Sequence, residues 1–255
     1  MSHPTHVAGV PVLWFSALAS TNADALARVG GSSPGQLWIV ADRQNAGRGR
    51  RGRGWISEPG NLYATRLMLD PAPARAVPEI CFVAAVALHD AVLDCCAGLA
   101  PARLQLKWPN DLLLDSAKLA GILVEGITVP SGRPAVAIGF GVNCCVHPPE
   151  LELRAIDLLA AGLPVGPATM LAALGAAFER RAAEWDRGRN FAAIRAAWLA
   201  RASGLGSEIK VRLGDRTLDG TFEAIDGSGC LVLRRPDGAR ETIRAGDVFP
   251  IAAGG

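Results

Sequence analysis

The chain has 255 residues, half of them hydrophobic and 20% charged, with a formal net charge of +2. Those proportions allow one large domain plus a small one around a real apolar core, and they exclude a disordered chain. The near-balance of charge also argues against a protein held to nucleic acid by phosphate contacts across its surface.

From the N-terminus, "VAGVPVLWFSALAS" imitates a secretory leader. No Lys or Arg precedes it and Pro11 interrupts it, so the pattern reads as mature chain. Val12–Phe15 within it is a predicted strand. Ser20-Thr21-Asn22 supplies helix-capping chemistry ahead of a short helix over Ala23–Val29, which ends at Gly30-Gly31. "LWIVAD" (Leu37–Asp42) and "NLYATRLML" (Asn61–Leu69) are apolar strands on either side of an arginine-glycine run. Pro78–Cys96 carries apolar residues at helical spacing and is expected to be a buried amphipathic helix. No further stretch reaches the roughly 20 uninterrupted apolar residues of a membrane span. "RLQLKWPNDLLLD", "KLAGILVEGITV" and "PAVAIGFGVNCCV" add strands, and Thr169–Trp185 and Phe191–Arg201 add helices.

"ASGLGS" (Ala202–Ser207) is expected to be a linker. Beyond it, short strands alternate with Gly214-Asp215, Asp226-Gly227 and Asp237-Gly238, a hairpin pattern that predicts a small β-barrel over Glu208–Ile251. The chain thus divides into a unit over 1–204 and a small barrel unit over 205–255. The element order lacks a βαβ rhythm, so the fold class is α+β, a mixed sheet flanked by helices, rather than a doubly wound parallel sheet. Cys81, Cys95, Cys96, Cys144, Cys145 and Cys230 form no C-x-x-C pair and sit mostly in apolar runs. They read as reduced thiols in a cytoplasmic protein, without a disulfide frame or a zinc site.

"NAGRGRRGRGWIS" (Asn45–Ser57) admits three readings: a nucleic-acid arm, a solvated loop, or a folded loop closing over an anion. Gly47, Gly49, Gly52 and Gly54 give backbone freedom, and Arg48, Arg50, Arg51 and Arg53 bring planar donor forks suited to phosphate or carboxylate. The position between two apolar strands and the closing Trp55 favour the third reading. "KWPND" holds Lys107 and Trp108 before a turn that Pro-Asn-Asp alone would explain. "KLAGILVE" places Lys118 at a strand start, with Gly121 leaving room beside it. "GFGVN" (Gly139–Asn143) imitates a phosphate turn but lacks a third glycine. No nucleophile elbow, H-E-x-x-H or Walker sequence is present, and His89 reads as a core histidine. Cationic clamps without a nucleophile fit electrostatic stabilisation of phosphoryl chemistry.

Taken in order, "STN" (Ser20–Asn22), "GRGRRGRGW" (Gly47–Trp55), "KWPNDLLL…KLAGILVE" (Lys107–Glu125) and "GFGVN", followed by a small barrel, resemble the biotin–protein ligase family, also called biotin–[acetyl-CoA-carboxylase] ligases. The resemblance covers nearly the whole chain. It implies a biotin/lipoate ligase-like catalytic unit followed by an SH3-like barrel. It further implies activation of biotin by MgATP to biotinyl-5′-AMP, then transfer to a lysine of a biotin carboxyl carrier domain. Carried onto this sequence, it puts Ser20, Thr21, Asn22 and Gln44 at the biotin ureido ring. Gly47, Arg48, Gly49, Arg50 and Lys118 fall at the biotin carboxylate and phosphate, and Gly121 floors the pocket. Arg48, Arg50, Arg51, Trp55, Lys107, Lys118 and Asn143 are assigned to ATP and the adenylate. Arg48, Lys118 and Asp111 are the catalytic candidates, Asp111 orienting the incoming lysine. No protein-held metal is implied. For Arg51 and Arg53 a solvated role stays open.

About twenty residues precede "STN", too few for the helix-turn-helix of the repressor members, so the resemblance is to the monofunctional type, with neither DNA nor membrane expected as a partner. Oligomeric state stays open, a homodimer included. Three positions depart from the family pattern: Gly54 before Trp55, Arg66 in a strand near the pocket, and "RAIDLL" (Arg154–Leu159), which lacks an aromatic for adenine. A lipoate or octanoate ligase or transferase of the same fold is the alternative enzyme, and an Arg-Gly nucleic-acid module the non-enzyme one.

Overall fold

The computed structural model describes residues 3–30, 35–130, 132–149, 154–214 and 216–251. In chain order the strands and α-helices are β1 (His6–Val7), β2 (Val10–Phe15), α1 (Thr21–Ala27), β3 (Gln36–Ala41), β4 (Leu62–Leu69), α2 (Ile80–Cys95), β5 (Leu104–Lys107), β6 (Asp111–Leu114), β7 (Ala117–Thr128), β8 (Pro134–Val142), α3 (Pro167–Trp185), α4 (Phe191–Leu199), β9 (Glu208–Leu213), β10 (Arg216–Ile225), β11 (Leu231–Arg234), β12 (Arg240–Ile243) and β13 (Asp247–Pro250). The larger sheet runs β1-β2-β3-β4-β8-β7-β6-β5. Among its described pairs only β2 and β3 are parallel, joined through α1. One βαβ unit therefore opens the chain, which the element order alone does not reveal.

Alternation sorts the strand residues between two faces. Trp38 and Val40 of β3, Leu62 and Ala64 of β4, and Ile138 and Phe140 of β8 join the main core with α2, α3 and α4. Trp38, Phe140 and Phe178 of α3 meet there with ring centroids 5.9 to 6.3 Å apart. Leu37, Ile39, Leu67 and Ala137 face the other way and pack with Ala25 of α1 in a smaller cluster. The strands beside that cluster carry the cavity described below.

The helical stretch Ala74–Cys95 is by length and composition apolar enough to cross a bilayer, although the sequence reading finds no such segment. The apolar surface is used internally: eleven side chains of α2 are buried, among them Val83, Val86, Leu88 and Val92.

Arg66 lies on the core face of β4, not on the cavity face. Its Nη2 donates to Glu179 Oε1 of α3 at 2.9 Å and to Gln36, its Nη1 donates to the Leu67 carbonyl at 2.9 Å, and the guanidinium lies 5.9 Å from the Trp38 ring centroid. The arginine without an evident partner in the sequence thus ties α3 to the sheet.

"ASGLGS" is no free linker. Leu106 N donates to Arg201 O and Ser203 N donates to Leu106 O, both at 2.8 Å, so the segment is pinned along edge strand β5. The small unit is a five-stranded antiparallel sheet in the order β12-β11-β10-β9-β13. It is rooted in α4 by Trp198 against Phe222, 6.4 Å between centroids, and by Arg195 donating to Ile225 O. Of the three turn pairs, Asp215 lies outside the described residues; Gly238 takes a positive φ of 86°, as its turn requires.

Candidate active site

The floor of the cavity is a consequence of register. Gly121 of β7 stands opposite Gly141 of β8, and Gly139 of β8 is flanked by Thr65 and Leu123. The absent side chains make room. A Cβ on Gly141 would fall 2.5 Å from Trp55 Cε2, one on Gly121 would fall 2.9 Å from Trp55 Cζ3, and one on Gly139 would fall 2.5 Å from Asn22 Oδ1. "GFGVN" is therefore strand rather than phosphate turn, and its glycines serve close approach.

At one end of the cavity lies a network of amides and hydroxyls. Past β3 the chain keeps pairing with the segment before α1, Asn45 N donating to Leu18 O at 2.9 Å, and this brings Gln44 against Thr21. Ser20 caps α1, accepting from Ala23 N. Gln44 Oε1 accepts from Thr21 N at 2.8 Å and from Thr21 Oγ1 at 3.1 Å, while Gln44 Nε2 donates to Ser57 Oγ. Asn22 Nδ2 donates to Leu123 O at 3.1 Å and to Glu125 Oε2 at 2.8 Å. Thr65 Oγ1 is 2.8 Å from Thr21 Oγ1 and 2.7 Å from Asn22 Oδ1.

The other end is cationic. Turn "KWPND" joins β5 to β6 with a cis Trp108–Pro109 bond and is held by Asn110 Nδ2 donating to Ile122 O at 2.7 Å. Pairing of Lys107 with Asp111 across the turn aims both inward. Asp111 sits between two ammonium groups, 2.7 Å from Lys118 Nζ and 3.5 Å from Lys107 Nζ. Burial pulls the Lys107 pKa below its ordinary value, against the opposing pull of Asp111. Lys118 Nζ also lies 5.3 Å from the Trp55 ring centroid, and Trp108 turns away into the core.

The arginine run is folded. Trp55 N donates to Gly47 O at 2.9 Å and Gly49 N to Arg53 O at 2.7 Å, which closes the loop on itself. Gly47 is required there, since a Cβ would fall 2.5 Å from Trp55 O. Arg48 reaches Glu125 at 3.4 Å. Arg50, Arg51 and Arg53 turn to Asp247 of the small unit, and Arg50 also donates to Asn110 Oδ1 and Gly246 O at 3.3 Å. Burial lowers the Arg50 pKa, partly offset by Asp247.

These residues enclose a cavity of about 310 Å³. Of the residues expected from sequence, Ser20, Thr21, Asn22 and Gln44 line one end and Lys107, Asp111, Lys118 and Gly121 the other. Arg48, Gly49, Arg50 and Trp55 cover it. Gly47 and Arg51 shape the loop from outside. Asn143, expected at the nucleotide, is buried, and its Nδ2 donates to Ile156 O at 3.1 Å, which anchors the 154–159 segment. That segment runs beside Lys118, whose N donates to Arg154 O at 2.7 Å. Sequence reasoning missed Thr65, Glu125, Asp247 and Phe249, the last 5.6 Å from Lys107 Nζ at its ring centroid. A polar residue inside an apolar strand was the available signal for Thr65. Among the described residues no group of three or more His, Cys, Asp or Glu side chains could hold a metal ion.

Comparison with known proteins gives two family matches. Residues 19–143 match the Biotin/lipoate A/B protein ligase family, and residues 204–249 match the Biotin protein ligase C terminal domain. A biotin–[acetyl-CoA-carboxylase] ligase of Paracoccus denitrificans is 44% identical over 236 residues, covering 90% of this chain and 96% of that one. The bifunctional ligase/repressor BirA of Bacillus subtilis is 30% identical, over 94% of this chain and 74% of its own length. The biotin protein ligase of Aquifex aeolicus, solved with biotin and ATP, superposes with a TM-score of 0.74 at 24% identity, over 93% of this chain and 97% of that one. The glycine floor, the arginine loop and the small sheet that meets it thus fall inside matched segments, and the chain belongs to the biotin–protein ligase family.

Proposed function

We propose that the chain activates biotin with MgATP to biotinyl-5′-AMP and transfers the biotinyl group to a lysine of a biotin carboxyl carrier domain. The first step forms a bond between a biotin carboxylate oxygen and the α-phosphorus and releases diphosphate. The second forms an amide and releases AMP. The observation that carries this reading is the polarity of one cavity, with neutral amides and hydroxyls at one end and five cations at the other. Thr21, Asn22 and Gln44 offer donors and acceptors that suit a cyclic urea. Arg48, Arg50, Lys107 and Lys118 neutralise the approach of one anion to another and hold it in place.

Asp111 is the acceptor best placed to receive the proton-bearing end of the incoming lysine. The divalent cation enters with the nucleotide as part of the substrate. Residues 1–204 form the catalytic unit on this reading, and residues 205–255 the small unit that closes it. Neither DNA nor a membrane surface enters the reading, a homodimer is compatible with it, and the cytoplasm is the compartment it implies.

Isotopic ATP–pyrophosphate exchange with biotin, lipoate and octanoate side by side tests it. Exchange that depends on biotin and is absent with the other two is expected; exchange with lipoate and none with biotin would overturn the assignment.

A further inference from the structure

Every guanidinium of the arginine loop is matched to a carboxylate of this chain. Arg48 uses Glu125, but Arg53, Arg51 and Arg50 all converge on Asp247, at 2.9, 3.3 and 3.7 Å. Asp247 opens β13 of the small unit, its side chain is only 14% exposed, and it lines the cavity. One negative charge shared by three arginines is poor neutralisation. With Lys107 and Lys118 opposite, each partly satisfied by Asp111, this end of the cavity keeps a net positive charge that suits a polyphosphate. A polyphosphate entering there meets the same guanidinium groups that Asp247 holds, and Asp247 repels it.

We propose that Asp247 is the resting counter-ion of the arginine loop: it holds the loop over the cavity until a polyphosphate takes Arg50 and Arg53 from it. This rests on the reading of the cavity as an adenylate-forming site, and it gives the small unit a part in that site. The loop is then ordered in both states, by Asp247 before the nucleotide arrives and by phosphate afterwards. Only the difference between the two sets of contacts contributes to nucleotide affinity.

The sign of one substitution separates this role from a merely structural one. Asp247→Asn keeps the shape and removes the charge. If Asp247 competes with phosphate, the variant binds phosphate more tightly; if it only props the loop, the variant binds more weakly. The probe is metal-free inorganic pyrophosphate, titrated calorimetrically, together with amide hydrogen exchange over residues 47–55. Asp247→Asn is expected to bind pyrophosphate roughly threefold to tenfold more tightly, the scale of one partly screened ion pair. Its Gly49, Arg53 and Trp55 amides should exchange faster in the free protein and match the wild type at saturating pyrophosphate.

Arg53→Gln, which removes the shortest contact from the donor side, should speed the same exchange but weaken pyrophosphate binding. Unchanged or weaker binding in Asp247→Asn, or unchanged loop exchange in both variants, overturns the proposal. Neither measurement needs biotin. A wild-type protein that fails biotin-dependent exchange while showing these effects would therefore sink the functional reading and leave the counter-ion intact.

Discussion

At the scale of the residue, a single methyl group tests the cavity floor. Gly141→Ala would set a Cβ 2.5 Å from the Trp55 indole, a rigid ring that cannot yield by a rotamer of its far end. Overpacking of this kind costs about 1–3 kcal/mol, so biotin-dependent pyrophosphate exchange should fall on the order of tenfold to a hundredfold. An unaffected rate would show that Trp55 leaves the floor freely during turnover. Asp111 makes a finer case. Because its carboxylate lies 2.7 Å from Lys118 Nζ, Asp111→Asn should slow both half-reactions, and transfer to the carrier lysine more than adenylate formation. Single-turnover measurement of each step decides; equal losses would mean that Asp111 only holds the two lysines.

Lys118 and Asp111 were legible in the sequence because each sits at a strand end beside a turn, where a charged side chain has no core to fill. Asp247 was not, since an aspartate after Ala-Gly looks like one more solvated turn until β13 pairs with β9 and brings it to the loop. Asn143 was legible only in part: the spacing singled out its motif but not the bond its amide makes to the Ile156 carbonyl.

At the scale of the element, the helix layer hangs on a carboxylate between three helices. Asp90 of α2 accepts from Arg181 of α3 at 2.7 Å and from Arg201, just beyond α4, at 3.2 Å. Burial alone would raise its pKa, but hydrogen bonding with His89 and Arg181 and the charges of Arg181 and Arg201 outweigh it and hold the carboxyl below its ordinary value. A depressed carboxyl contributes stability that is present above the unfolded value, about 4, and is lost as pH falls through the folded one. Asp90→Asn should therefore lower stability at pH 7 by about 2 kcal/mol, the usual scale of a charged hydrogen bond. The gap from wild type should close as denaturation curves are taken to progressively lower pH below about 4. A gap independent of pH would show that packing, not charge, carries the effect.

The same layer explains what the sequence disclosed of the elements. Periodicity located α2, α3 and α4 because buried helices repeat their apolar positions. It missed β1 and β13, with two and four residues. Alternation also decides the face of Arg66. Counting from Leu62 puts it with the core side chains, where Glu179 is waiting, and no local pattern could have named a partner 113 residues away.

At the scale of the whole molecule, the two units share one site. Lys107 on β5 of the large sheet faces Phe249 of the small one, and the arginine loop spans from Glu125 to Asp247. Ser203 fastened to β5 and Trp198 packed on Phe222 close the join from the other side. The C-terminal run of short strands was legible from the change in strand length and turn spacing. Its meeting with the large sheet was not, because that depends on side chains that meet only when both sheets are folded.

Ligand binding should therefore report on both units at once. A ligand that binds only the folded protein at a hundred times its Kd stabilises it by about 2.7 kcal/mol. For a chain of this size that corresponds to a rise in Tm of roughly 5 to 10 °C, at about 2–4 °C per kcal/mol. With biotin and MgATP added together, calorimetry should show one transition shifted by that amount. The fluorescence of Trp108 and Trp198 and the amide exchange of β9–β12 should move with it. If the β9–β12 amides opened at their ligand-free rate while the large sheet became protected, the small unit would be a passenger. The contacts through Asp247 and Phe249 would then contribute nothing to the bound state. Because the loop that covers the cavity is held from the small unit, coupled protection is the outcome the geometry requires.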